Sequence, residues 1–247
     1  MKNSFRLLEH YDQKYRHSNY TLSKPIPIVR RPKDRFEMTA LITNSGEGRY
    51  LEVGAGSGNI ALTVLEKYDE LVLTELSNIR ANELSQLFRD YAKVKVIQHD
   101  IDNKVLDFPD GYFDTVVMVA VIEHLVDPKT ALRELSRVLK PTGRLIIDTP
   151  NIAKWTRRIK LLFGYFPSTA SLDEGLLSYD KRTPTDLYDE GHLHYFTFRS
   201  LSRLCIAVGF NKFEWFGYGS WKTTRTHSAL SRLLPTIFSE VFLVAYK

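Results

Sequence analysis

Apolar positions along this chain follow two habits: short continuous runs, and longer stretches where they recur at helical spacing. Runs of the first kind suit strands buried on both faces, and stretches of the second suit helices packed on a sheet. Residues 50–53, 70–74, 94–97, 115–120 and 144–151 read as five strands. Helical spacing follows the first, second and fourth, over 59–68, 79–91 and 130–139, and a Pro109/Gly111 turn stands in place of a helix before the fourth strand. Residues 36–43 read as a helix packing on the sheet, ended by Asn44, Ser45 and Gly46. After Asn151 comes a connection of about forty-five residues, 152–196, longer than an ordinary loop. Thr197 then caps a helix over 199–208 that Gly209 closes, and 210–218 and 241–246 read as two late strands. Strands alternating with helices predict an α/β fold with a largely parallel sheet.

The turn after the first strand carries the chemistry. It reads Glu52-Val53-Gly54-Ala55-Gly56-Ser57-Gly58, with glycines at alternate positions between a strand and a helix. Glycine tolerates positive φ and lets a ligand approach the backbone, while the following helix offers free N–H groups. Dinucleotide folds prefer G-x-G-x-x-G, so this spacing disfavours nicotinamide chemistry. The pattern of an acid followed by alternate glycines resembles the first motif of the class I methyltransferases, which bind S-adenosylmethionine. Further matches are Val121-Ile122-Glu123-His124-Leu125-Val126-Asp127-Pro128 after the fourth strand and the stretch 137–151, RVLKPTGRLIIDTPN. The pattern GHLHYFTFRSL from Gly191 resembles, more loosely, methyltransferases of polysaccharide and lipid-linked glycan pathways.

The resemblance implies a Rossmann-like, doubly wound sheet of seven strands with the last antiparallel, and a lid inserted between strands 5 and 6. It divides one domain into an N-terminal cover (1–47), a cofactor-binding half (48–151), the lid insertion (152–196) and the rest of the sheet (197–247). It implies S-adenosyl-L-methionine as cofactor, with S-adenosyl-L-homocysteine as product. Glu52, Gly54, Ala55, Gly56 and Gly58 would hold its amino-acid end, and Leu76 and Val119 would contact it from neighbouring strand ends. Glu75 lies 21 residues after Gly54, at a strand tip where a carboxylate can accept both ribose hydroxyls. Asp100 and Ile101 stand at the expected adenine contact, with Asp102 and Asp107 as alternatives to Asp100. Tyr11, Tyr15 or Tyr20 of the leading segment would close over the site or pack as an ordinary terminal helix.

A hydroxyl acceptor calls for a base of near-neutral pKa. His124, His192 and His194 all fall in loops expected at the carboxyl edge of the sheet. His192 and His194 are two apart, so an extended segment points both the same way, and this pair is preferred over His124. His99 reads as a satisfied strand-end residue. Some ubiquinone-pathway O-methyltransferases share the Glu123-His124 pair but place an acid three residues earlier, where this chain has Ala120. On that count, no metal is expected. No Cys/His spacing suggests zinc.

Composition narrows the rest. With 43% hydrophobic and 26% charged residues, the chain suits a folded globular domain. Its net charge of +5 permits an acidic partner without demanding one. Cys205, the single cysteine, reads as a buried core residue in a reducing compartment. The start is not a signal peptide and no run is long enough to span a bilayer, so a cytoplasmic protein is expected. Residues 155–166 are basic and aromatic. They suit a helix capping the core with a solvated basic face, or one meeting an acceptor or a membrane surface. The function so read is methyl transfer to a small-molecule or glycan-type acceptor, at oxygen. The alternatives are an RNA acceptor, for which no appended nucleic-acid module is visible, and a non-catalytic S-adenosylmethionine-binding partner protein.

Overall fold

The computed structural model describes residues 8–9, 11–13, 15–16, 24–169, 191–218, 231 and 233–247. Tyr20 and residues 170–190 of the expected lid insertion lie outside the described residues. Seven strands form one sheet: β1 Arg49–Val53, β2 Glu70–Glu75, β3 Val94–Gln98, β4 Phe113–Val119, β5 Leu139–Pro150, β6 Lys212–Phe216 and β7 Glu240–Tyr246. Their order is β3-β2-β1-β4-β5-β7-β6. The first five are parallel, and β7 runs antiparallel between β5 and β6. This is the doubly wound sheet expected, antiparallel last strand included.

Two apolar layers cover the sheet because successive side chains of a buried strand point to opposite faces. Leu51, Val53, Val116, Met118, Leu145 and Ile147 join one core, while Tyr50, Val117 and Ile146 join the other. The first core is closed by α4 (Pro128–Val138) and α6 (Phe198–Ile206). The second is closed by α1 (Arg35–Thr43), α2 (Asn59–Val64) and α3 (Asn78–Leu87). Local chemistry sets the helix starts. Asp127 Oδ1 accepts from Thr130 N at 3.0 Å ahead of Pro128 at α4, and Thr197 with Ser200 forms a capping box at α6.

Two expectations are corrected. The segment Lys140 to Gly143, left between the expected helix over 130–139 and the expected strand over 144–151, is already part of β5, with a register irregularity opposite Phe113 and Thr115. The helix after β5, α5 (Trp155–Leu162), is shorter than expected and its face is inverted. Arg157 and Lys160 are buried, whereas Leu161, Leu162 and Phe163 are 64%, 79% and 69% exposed. The reason is backbone satisfaction: Arg157 donates to the carbonyls of Asn151 (2.8 Å), Ser168 (3.0 Å) and Ser239 (3.2 Å). Of the three basic residues, only Arg158 is exposed.

The chain leaves and rejoins the sheet at one place around the 152–196 insertion. Asn151 pairs with Phe196 in an isolated parallel bridge, and Ile152 N donates to Phe196 O at 3.0 Å. That closure returns His192 to the carboxyl edge of the sheet.

Candidate functional site

Parallel strands β2 and β4 flank β1, and the chain reverses its winding direction there, opening a crevice at the strands' carboxyl ends. A cavity of about 490 Å3 occupies it, within the size range of small-ligand sites. Its floor is the glycine turn. Gly56 N donates to Glu75 Oε2 at 2.9 Å, and Leu76 N to Glu75 Oε1 at 2.9 Å. Gly56 has φ +55°, and a Cβ there would find only Gly54 O, at 4.0 Å. The backbone therefore presents an open flank to the cavity that any other residue would fill.

Glu52 is buried beneath this turn and accepts from Tyr50 Oη at 2.9 Å. Burial pushes its carboxyl up to about 8, against the pull of the Tyr50 hydrogen bond. Burial raises Glu75 as well, opposed by the N–H groups of Gly56, Ser77 and Leu76. Two acids at adjacent strand tips thus form a wall whose charge is costly without a cationic or hydrogen-bonding ligand.

The cavity is lined by Glu52, Gly54, Ala55, Gly56, Glu75, Leu76, Asp100, Ile101 and Val119, all named from the sequence. Gly58 is not on its wall. With φ +78°, Gly58 caps α2, and a Cβ there would meet Leu84 Cδ2 at 2.9 Å and Phe88 Cε2 at 3.0 Å. Its place is in the packing of α2 on α3. Asp100 and Asp102 both reach the wall; Asp102 accepts from Val126 N (2.9 Å) and Asp127 N (3.1 Å), and Asp100 from Asp102 N (3.1 Å) and Asn103 Nδ2 (2.8 Å). Asp107 is exposed and off the wall.

The far side of the cavity holds the histidines. Leu193 N and His194 N both donate to Glu123 O, at 2.8 and 3.1 Å, clipping the end of the insertion onto the segment after β4. His124 and His192 then meet edge to face, with ring centroids 4.8 Å apart, and both line the cavity beside buried Glu123. His194 does not join them. Its Nε2 lies 3.4 Å from Val126 O and its ring rests against Phe196, off the cavity wall. The segment is not a plain extended strand, so the two-residue spacing does not put both rings on one side.

Further groups complete the wall, two of which, Arg80 and Arg35, escape sequence reasoning. Arg80, in the first turn of α3, is buried, pairs with Glu83 at 2.8 Å and lies over the Tyr15 ring at 4.3 Å. Tyr11 stacks on Tyr15 and sets its ring edge to His124, so the leading segment covers the cavity from outside. His99 also reaches the wall, with Nε2 3.1 Å from Lys104 O. Arg35 of α1 lines the cavity while pairing with Asp148 (3.3 Å) and Glu240 (3.0 Å). Position in a first turn, after an acidic strand tip, is the only sequence signal Arg80 carries, and Arg35 carries none; Tyr11 and Tyr15 belong to the leading segment already expected to close over the site or to pack as a terminal helix.

Comparison with known proteins agrees with this geometry. Residues 28–214 match a family model described as a methyltransferase domain. The ubiquinone/menaquinone biosynthesis C-methyltransferase UbiE of Vibrio cholerae is 30% identical over 123 residues, covering 48% of this chain and 47% of the relative. The chain thus spans about half the length of the curated relatives it matches. Among solved structures, the YcgJ protein from Bacillus subtilis superposes with a TM-score of 0.57 at 16% identity, covering 86% of this chain and 97% of that one. The methyltransferase CalH, in complex with SAH, gives 0.55 at 19% identity, covering 86% and 55%. No helix among the described residues is long and apolar enough to cross a membrane.

Proposed function

The chain belongs to the class I S-adenosylmethionine-dependent methyltransferase family, and from that premise we propose that its cavity seats S-adenosylmethionine on the glycine turn and passes the methyl group to an oxygen of a small-molecule or glycan-type acceptor. One observation carries this reading: a single cavity joins the glycine turn and acidic strand tips to the Glu123, His124 and His192 side chains. The donor supplies an electrophilic methyl group on a sulfonium.

The residues supply position. The turn around Gly56 takes the amino-acid end against Glu52, Glu75 takes the ribose, and Asp100 with Ile101 takes the base. In-line displacement depends on alignment, and a cavity holding both partners provides it. Tyr11 and Tyr15 exclude water from above. The acceptor enters on the histidine side. His124 Nδ1 faces Gly191 O at 3.2 Å. A carbonyl can only accept, so Nδ1 is the donor in this contact.

A second reading places the methyl group on carbon. It is favoured by the name of the UbiE relatives, which are C-methyltransferases. The test supplies donor labelled with carbon-13 at the methyl group to small hydroxyl compounds, nucleotide sugars, lipid-linked sugars and RNA. The chemical shift of the product separates O-methyl from C-methyl. Calorimetry is expected to show binding of S-adenosylmethionine and S-adenosylhomocysteine but not NAD. NAD binding, or no turnover with any acceptor class, would overturn the proposal.

A further inference from the structure

The absence of an acid at Ala120 pointed away from a metal, yet the fold supplies another ligand from far along the chain. Glu123, His124 and His192 each offer one ligand atom, and these atoms all lie within 4.8 Å of one another. We propose that Glu123, His124 and His192 form a divalent transition-metal site on the acceptor side of the cavity, selective for ions such as Zn2+ or Mn2+ over Mg2+. Two imidazoles suit borderline ions such as Zn2+, and Mn2+, though harder, accepts mixed imidazole and carboxylate donors, whereas Mg2+ prefers all-oxygen surroundings.

The surroundings have the supports a metal site needs. Ligating histidines are generally held through their other ring nitrogen. His124 Nδ1 meets Gly191 O at 3.2 Å, and His192 Nδ1 meets Thr169 Oγ1 at 2.6 Å. Glu123 Oε2 accepts from Thr149 Oγ1 at 2.9 Å, which fixes the carboxylate. Arg35 is the cation whose field reaches Glu123, and it is already paired with Asp148 and Glu240. Ligands around one ion at about 2.1 Å lie roughly 3.4 Å apart in a tetrahedron, so closure needs a shift of about an ångström. Three protein ligands leave open positions toward the cavity, where an acceptor oxygen can coordinate. This deepens the proposed function: the cluster meets the acceptor through a cation, whose charge acidifies the bound hydroxyl.

The test titrates chelator-treated full-length protein with Zn2+ and Mg2+ by calorimetry and with Mn2+ by electron paramagnetic resonance. One Zn2+ or Mn2+ per chain is expected, with Mg2+ at least tenfold weaker. His192→Ala and His124→Ala should each weaken Zn2+ binding more than a hundredfold, and Thr169→Ala ten- to a hundredfold. His194→Ala should leave binding unchanged. S-Adenosylhomocysteine binding by each variant shows that it is folded, and separates failure of the metal site from failure of the donor site. Absence of stoichiometric Zn2+ or Mn2+ binding, binding that survives His192→Ala, or Mg2+ bound as tightly as Zn2+ would overturn the proposal.

Discussion

Gly56 and Gly58 stand two residues apart in the same turn, and the structure gives them separable tasks. Both have positive φ, +55° and +78°, so any side chain costs about 1–2 kcal/mol of backbone strain. At Gly56 a Cβ adds no clash to that strain, its nearest neighbour being Gly54 O at 4.0 Å. For a chain of this size each kcal/mol moves Tm by about 2–4 °C, so Gly56→Val should lower Tm by roughly 2–8 °C. Its side chain would occupy cavity space, and crowding of about 1–3 kcal/mol weakens S-adenosylhomocysteine roughly 5- to 150-fold. Gly58→Ala reverses the balance. Its methyl group meets Leu84 at 2.9 Å and Phe88 at 3.0 Å, adding about 1–3 kcal/mol of overpacking to the strain. Tm should fall by roughly 4–20 °C, with affinity per folded molecule within about threefold of the parent. Thermal unfolding and calorimetry on both variants decide the matter. If Gly56→Val binds normally, or Gly58→Ala loses affinity at unchanged Tm, the assignment of donor contact to Gly56 and packing to Gly58 is wrong.

The buried acids make further predictions. Glu52 is held near 8 in the empty protein, above its unfolded value, so its contribution to stability declines as pH rises from about 4.5 to 8. A cationic donor favours the ionised form, so binding should release a proton below pH 8, read from calorimetry in buffers of different ionisation enthalpy; Glu52→Gln should abolish the release. Arg35 compensates two carboxylates, one of them, Asp148, wholly buried and also accepting from Tyr218. Arg35→Ala should cost roughly 3–5 kcal/mol in denaturant unfolding, and adding Asp148→Asn should restore part of it; an additive double variant would refute the coupling. On α5, Leu162→Ser and Phe163→Ser should change stability by no more than about 0.5 kcal/mol. Arg157→Ala should cost more than either, because it removes a buried donor from the carbonyls of Ser168, Asn151 and Ser239, the last two keeping one backbone N–H each.

What the sequence disclosed depended on how local the determining contacts were. Strand runs and the glycine turn are written in adjacent residues, and Glu75 follows its strand directly, so the parallel sheet and the acidic strand tips could be read in order. The burial of Arg157 and Lys160 could not. A helix pattern shows which residues share a face, but here the inward face is chosen by carbonyls of Ser168 and Ser239, from other segments. The histidines make the same point more sharply. His192 and His194 looked equivalent by spacing, yet the bonds from Leu193 N and His194 N to Glu123 O turn one ring into the cavity and leave the other outside. Ala120 adds the complementary half. It is the one non-glycine residue with positive φ among those described, at +53°, and its N–H is held by Asp148 O at 2.9 Å. Alanine in this conformation costs about 1 kcal/mol, a strain kept only where surrounding structure over-determines it. It lies at the carboxyl end of β4, where the chain turns toward Glu123 and His124. The acid missing from that position therefore does not decide against the proposed metal site, since the backbone there bends the chain toward Glu123 and His124, beside which the returning insertion sets His192.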